Sequence, residues 1–183
     1  MRNKIAICAI AKNENLYIRD WIEYHKNLGI DKIYLYDNND LNGERFESVI
    51  KDYIDSKYVT VFNRRGIEKG LVYDKNNINL QCQCYIETYN NLKTYGDFQW
   101  IFFIDIDEYI NIKKGTLKEY LNSEKYKNYD TIVFPWVIYD DNNKLTYKKG
   151  SLINRFPNKS NYIKDLEQVK CCVRIGKNIK DYQ

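Results

Sequence analysis

The sequence predicts an α/β domain built on a mostly parallel central sheet. Short apolar runs rich in aromatic and β-branched residues alternate, over the first two thirds of the chain, with segments whose apolar residues recur at helical spacing. The connections between them are short and polar or glycine-containing. Trp100-Ile101-Phe102-Phe103-Ile104 has the continuous apolar character of a strand buried on both faces, and it runs straight into Asp105, Asp107 and Glu108.

The elements follow in order. Residues 4–11 form the first strand, after which Asn13 can cap a helix with Glu14 in its first turn. Ile18, Trp21, Ile22, His25 and Leu28 make an apolar stripe closed by Gly29, so His25 reads as a packed structural histidine. Residues 32–36 are the second strand, ending in Asp37-Asn38-Asn39-Asp40. That is either a plain turn or a strand-end carboxylate placed to receive a ribose or base. Phe46, Val49, Ile50, Tyr53 and Ile54 mark the second helix, and residues 58–62 the third strand. In the loop that follows, Arg64 and Arg65 either hold phosphate in bidentate fashion or are solvated. A third helix covers residues 78–95 and delivers the chain into the central strand. Beyond the carboxylates, Gly115-Thr116 opens a short helix. Residues 131–137 form another buried strand with Asp140 and Asp141 in its C-terminal loop, and residues 151–156 and 169–175 are further strands.

Composition sets the outer limits. At 183 residues the chain is one domain, 1–183, with 44% apolar and 30% charged residues. The net charge of +4 is modest, its basic clusters are short, and no nucleic-acid-binding motif accompanies them. A phosphate-rich ligand or an anionic membrane face would suit such a surface, as would plain solvation. Five cysteines, none at zinc spacing, and a single histidine argue for free thiols in a reducing compartment, hence a cytoplasmic protein. Arg2 and Lys4 before a seven-residue apolar run imitate a short signal peptide, but Lys12-Asn13-Glu14 follows at once and a first strand is the better reading. No segment is long enough to span a membrane, which leaves peripheral contact, at the inner face of the membrane, as the membrane option.

The carboxylates after the central strand carry the chemistry. Along extended chain Asp105 and Asp107 point the same way and Glu108 the other. Two like charges about 4 Å apart repel by roughly 1 kcal/mol even in water. A divalent cation would remove the conflict, and oxygen-only ligands favour Mg2+ or Mn2+. A solvated acidic turn competes evenly with this reading. An EF-hand is excluded, because Ile110 stands where its loop needs glycine.

Lys12-Asn13-Glu14, Trp21-Ile22-Glu23-Tyr24-His25 with Gly29, Tyr36-Asp37-Asn38-Asn39, Gln81 with Tyr85, and Phe103-Ile104-Asp105-Ile106-Asp107-Glu108-Tyr109 stand in an order that resembles glycosyltransferase family 92 and its bacterial family 2-like relatives. Arg155-Phe156 and Lys170 with Arg174 resemble later pieces of that group, with Asn154 in place of an acid and Cys172 in place of an aliphatic residue. The resemblance implies a GT-A fold, Rossmann-like, with a nucleotide-sugar-binding half over 1–110 and an acceptor half over 111–183 that is incomplete at its C-terminal end. It implies that Ala11, Asn13, Glu14 and Asp37 hold the nucleoside of a nucleoside-diphosphate sugar, a UDP-sugar being favoured. By the same resemblance, Asp105 meets the ribose, or the metal through water, and Asp107 ligates Mn2+ or Mg2+ on the diphosphate. Arg64 and Arg65 are additional phosphate candidates. The group is similar to inverting enzymes, so a carboxylate after the next strand, Asp140 or Asp141, is the candidate base for a hydroxyl of a glycan or lipid-linked acceptor in polysaccharide biosynthesis. Relatives carry a later histidine that can complete the metal site, and this sequence has only His25. A silent nucleotide-sugar or glycan-binding module and a sugar-phosphate nucleotidyltransferase are the alternatives. The latter would need a glycine-rich loop after the first strand, which is absent.

Overall fold

The structure, a computed structural model, describes residues 3–68, 78–141, 143–160 and 168–176. Six strands, β1 (Lys4–Ala11), β2 (Lys32–Asp37), β3 (Val59–Asn63), β4 (Phe98–Phe103), β5 (Thr131–Pro135) and β6 (Val169–Arg174), form one sheet in the order β3-β2-β1-β4-β6-β5. β1 to β4 are mutually parallel, and β6 runs antiparallel between β4 and β5. This is the mostly parallel α/β arrangement the sequence predicts.

β1 lies at the centre because both its faces are apolar. Ile5, Ile7, Ala9 and Ala11 join one core with Trp21, Ile22, Phe46 and Ile50. Ala6, Cys8 and Ile10 join another with Leu80, Cys84 and Leu92. The period-2 alternation of a strand thus sends alternate residues into two helix layers. On the first face lie α1 (Ile18–Leu28), α2 (Glu47–Asp55) and the short α4 (Leu117–Leu121), and on the second lies α3 (Leu80–Tyr95). Gly29 closes α1 with φ 103°, and Asn79 caps α3 by accepting from the Cys82 N–H.

Three expectations require correction. Asn13 does not cap α1: it sits at φ 62°, its N–H donates to Asn39 Oδ1 at 2.8 Å, and the helix begins only at Ile18. Residues 151–156 are not a strand but contain the helical turn α5 (Leu152–Arg155). The Leu152 N–H is taken by Asp20 Oδ2, and the Arg155 guanidinium turns back to the carbonyls of Lys144 and Thr146. β5 is not fully buried. It is the outer strand of the sheet, with Ile132 buried and Val133 57% exposed.

Candidate functional site

The sheet order changes direction between β1 and β4, since the chain runs from β1 outward to β3 and returns to β4 on β1's other side. In open α/β sheets the C-terminal ends of strands at such a point are where ligands bind. Here that crevice is a cavity of about 280 Å³ lined by Ile10, Ala11, Lys12, Glu14, Asp105, Ile106 and Asp107. Ala11, Glu14, Asp105 and Asp107, four of the residues singled out from sequence, therefore meet at one place.

The run Asp105-Ile106-Asp107-Glu108 is a turn, not extended chain. The Glu108 N–H donates to the Asp105 carbonyl at 3.2 Å, and the Asp105 N–H donates to Glu108 Oε2 at 3.0 Å. The expected alternation of side chains therefore stops at Phe103, and Glu108 folds back as a brace of the turn. Lys170 on β6 donates to Asp105 Oδ2 at 2.7 Å and lies 3.3 Å from Glu108 Oε2. Gln81 on α3 donates to Asp105 Oδ1 at 3.2 Å and to the Tyr85 hydroxyl at 2.6 Å. Burial pushes the Glu108 carboxyl above the usual glutamate value, with the Asp105 N–H and Lys170 opposing it. Burial works against the Lys170 ammonium, but its two carboxylate partners outweigh that and raise its pKa. Asp107, in contrast, is exposed and makes no hydrogen bond or ion pair with the described residues.

Behind the turn, α1 holds the chain that leaves the site. Trp21 Nε1–H donates to the Glu108 carbonyl at 2.8 Å, and the Tyr24 hydroxyl donates to the Ile110 carbonyl at 2.7 Å. His25, fully buried, accepts from the Ile110 N–H at Nε2 (3.4 Å) and donates from Nδ1 to the Trp21 carbonyl at 2.9 Å. These two partners fix the Nδ1–H tautomer, and burial lowers the His25 pKa from 6.5 to about 4. The histidine is packed and structural, as its place on the apolar stripe predicts.

The remaining sequence-derived residues take other positions. Asp37 is 2% exposed, accepts from both the backbone and side-chain N–H groups of Asn39, and pairs with Arg65 at 2.7 Å. Because Asn39 in turn binds Asn13, Asp37 braces the loop after β1. Arg65 also donates to the carbonyls of Asp40, Gly43 and Glu44, tying down the loop after β2. Arg64 pairs with Glu87 on α3 at 2.6 Å, its guanidinium 5.3 Å from the centre of the Tyr36 ring. Asp140 and Asp141 lie in the loop after β5, where Asp141 Oδ1 accepts from the Asn143 N–H and the Asp140 N–H donates to the Asn158 carbonyl.

Three residues to which the sequence reading assigns no role in the cavity also contribute. Lys12 lines the cavity beside Ala11 and Glu14, and Lys170, 65 residues from Asp105, reaches it only because β6 inserts between β4 and β5. Trp136, whose ring centre lies 5.5 Å from the Lys170 ammonium, completes that side. Only a correct pairing of β4 with β6 could have found the last two.

An all-oxygen donor set suits Mg2+ or Mn2+, and Asp105 with Asp107 supplies two carboxylates on one cavity wall. No group of three or more side chains able to cage a metal occurs among the described residues. The pair therefore fits a cation held mainly by ligand phosphate and water, as is usual for Mg2+ at nucleotide sites.

The model of glycosyltransferase family 92 matches residues 4–178. A glycosyltransferase family 92 protein of Ricinus communis is 25% identical over 117 residues, 62% of this chain and 18% of the relative. Another, of Oryza sativa subsp. japonica, is 26% identical over 130 residues, 68% of this chain and 19% of the relative. The chain thus spans about a fifth of the length of these curated relatives. Among solved structures, a crystal structure of S. aureus TarS 1-349 aligns with a TM-score of 0.38 and 15% identity over 64% of this chain and 30% of that one.

Proposed function

The chain belongs to glycosyltransferase family 92, and on that premise we propose that it binds a nucleoside-diphosphate sugar in the β1/β4 cavity and transfers the sugar, with inversion, to a hydroxyl of a glycan or lipid-linked acceptor. The observation that carries the reading is the convergence of Ala11, Glu14, Asp105 and Asp107 on one cavity at the strand ends.

In this reading the loop after β1, held by the Asp37–Asn39–Asn13 chain of hydrogen bonds, receives the nucleoside. Asp107 and Asp105 would hold Mg2+ or Mn2+, which when bound offsets the charge developing on the departing nucleoside diphosphate. Asp140 or Asp141 accepts the proton of the acceptor hydroxyl as its oxygen bonds to the anomeric carbon and the bond from that carbon to the phosphate oxygen breaks. Lys170 keeps Asp105 oriented before the donor arrives. A UDP-sugar donor, a role in polysaccharide biosynthesis and a cytoplasmic site of action are parts of the same proposal.

A binding module without turnover is the competing reading. It is favoured by the ion pair on Asp105, which ligation of a cation through Oδ2 would have to displace. Calorimetric titration with uridine diphosphate, with and without Mn2+, followed by the same titration of Asp107→Asn, tests the donor site. Mn2+-dependent binding that the substitution removes is expected, with an unchanged melting temperature because Asp107 is exposed. Equal binding by Asp107→Asn would sink the metal assignment. Formation of a glycosylated product separates the enzyme from the silent module.

A further inference from the structure

One stretch of this chain carries basic residues with no acidic residue among them. Residues 143–160 contain Lys144, Lys148, Lys149, Arg155 and Lys159 and no acidic residue, so this segment carries +5 while the whole chain carries +4 and the rest sums to −1. Several cations elsewhere are neutralised at short range: Lys4 with Asp97, Arg19 with Asp52, Lys51 with Asp55, Arg65 with Asp37. Among the described residues none of the five in this segment pairs with a carboxylate. Lys144 and Arg155 instead donate to each other's backbone carbonyls, which shapes the loop without cancelling charge.

The same segment exposes apolar side chains. Leu145 is 84% exposed and Ile153 40%, and Leu16, whose carbonyl the segment's Tyr147 reaches, is 55% exposed. Tyr147 fixes the segment against the start of α1: its hydroxyl donates to the Leu16 carbonyl at 3.3 Å, and its ring packs edge-on against Tyr17 with centres 5.6 Å apart. The Leu152 N–H donates to Asp20 on α1. The patch is thereby anchored two residues beyond Glu14, which lines the cavity.

We propose that this basic, aliphatic-tipped face docks on an anionic lipid surface. Charge complementarity gives the attraction. Exposed leucine and isoleucine among lysines fit an interface in which aliphatic tips enter the acyl boundary and ammonium groups stay with the headgroups. A nucleic acid offers no comparable partner for the aliphatic tips. The docking stands independently of the glycosyl-transfer reading, and no membrane-crossing helix is needed for it.

The test is co-flotation of the chain with vesicles of phosphatidylcholine alone and of phosphatidylcholine containing phosphatidylglycerol, at low and high salt. Binding to the anionic vesicles only, falling as salt rises, is expected. One lysine near such a surface is worth roughly a five-fold change in binding, so the triple variant Lys144→Glu, Lys148→Glu, Lys149→Glu should bind at least ~100-fold more weakly. Leu145→Ser should weaken binding with the charge intact. Circular dichroism and uridine diphosphate titration of the same variants establish that the fold and the cavity are retained. Equal partition onto both vesicle types, binding to neither, retention by a nucleic acid in place of vesicles, or an undiminished triple variant would each overturn the proposal.

Discussion

Lys170 and Asp105, 65 residues apart in sequence, form a 2.7 Å ion pair that fastens the only reversed strand of the described sheet to the turn at the end of β4. The ammonium also stands 3.3 Å from Glu108, so one cation serves two carboxylates that would otherwise repel each other.

Replacing it separates its electrostatic effect from its packing. Glu108 has a native pKa above its unfolded value, so its contribution to stability is full below about pH 4 and is lost as pH rises through the native value. Removing Lys170 takes away a charge that holds this pKa down. Lys170→Met should therefore cost little near pH ~4 and about 1–2 kcal/mol near pH ~7, less than a fully buried pair because the partners are 22% and 32% exposed. Urea unfolding at both pH values measures it. A deficit that does not change with pH would mean that Lys170 acts through packing alone.

Arg65 makes the opposite kind of pair. Its side chain and that of Asp37 are 7% and 3% exposed, and its remaining donors go to carbonyls of the loop after β2. Lysine cannot reproduce that fan of donors. Arg65→Lys should lower the unfolding free energy by about 3 kcal/mol, in the range for breaking a buried pair. A variant that kept its melting temperature but lost affinity for uridine diphosphate would restore Arg65 to a phosphate-binding role.

His25 sets an acid limit on the fold. Its native pKa of about 4 lies below the unfolded value of 6.5, so the unfolded chain binds the proton first as pH falls. The stability contributed is complete above pH 6.5 and declines toward pH 4, by up to roughly 1.4 kcal/mol per unit. His25→Gln should be less stable at neutral pH and show a flatter decline over this window in guanidinium titrations at several pH values. Parallel declines would place the acid sensitivity elsewhere.

What the sequence made legible follows from how far each interaction reaches along the chain. β1 and β4 were readable because burial on both faces leaves an apolar run that needs no partner to be recognised. Asp105 and Asp107 were readable as the abrupt polar end of such a run. The Arg65–Asp37 pair and Lys170–Asp105 pair were not, because each is fixed by the pairing of strands distant in sequence, and a strand-end arginine looks alike whether it faces phosphate or a neighbouring carboxylate. Residues 151–156 are a helical turn for a related reason: Leu152, Ile153 and Phe156 are too few to set a period, and Asp20, distant in sequence, and the Lys144 and Thr146 carbonyls hold the turn.

Asp140 and Asp141 can be distinguished from each other by single substitution. Asp141 Oδ1 accepts from the Asn143 N–H, and an asparagine oxygen can accept the same bond, so Asp141→Asn keeps the turn. Asp140 is tied to Asn158 through its backbone N–H, which Asp140→Asn leaves in place. Both variants should fold and bind uridine diphosphate as the parent does. With a donor and acceptor that support turnover in the parent, the one that removes the base should slow transfer by about 10² to 10⁴-fold while leaving donor affinity unchanged. Loss in one variant alone identifies the base. If both retained parental rates, the acceptor proton would leave by another route and the loop after β5 would be a hydrophilic turn without catalytic duty.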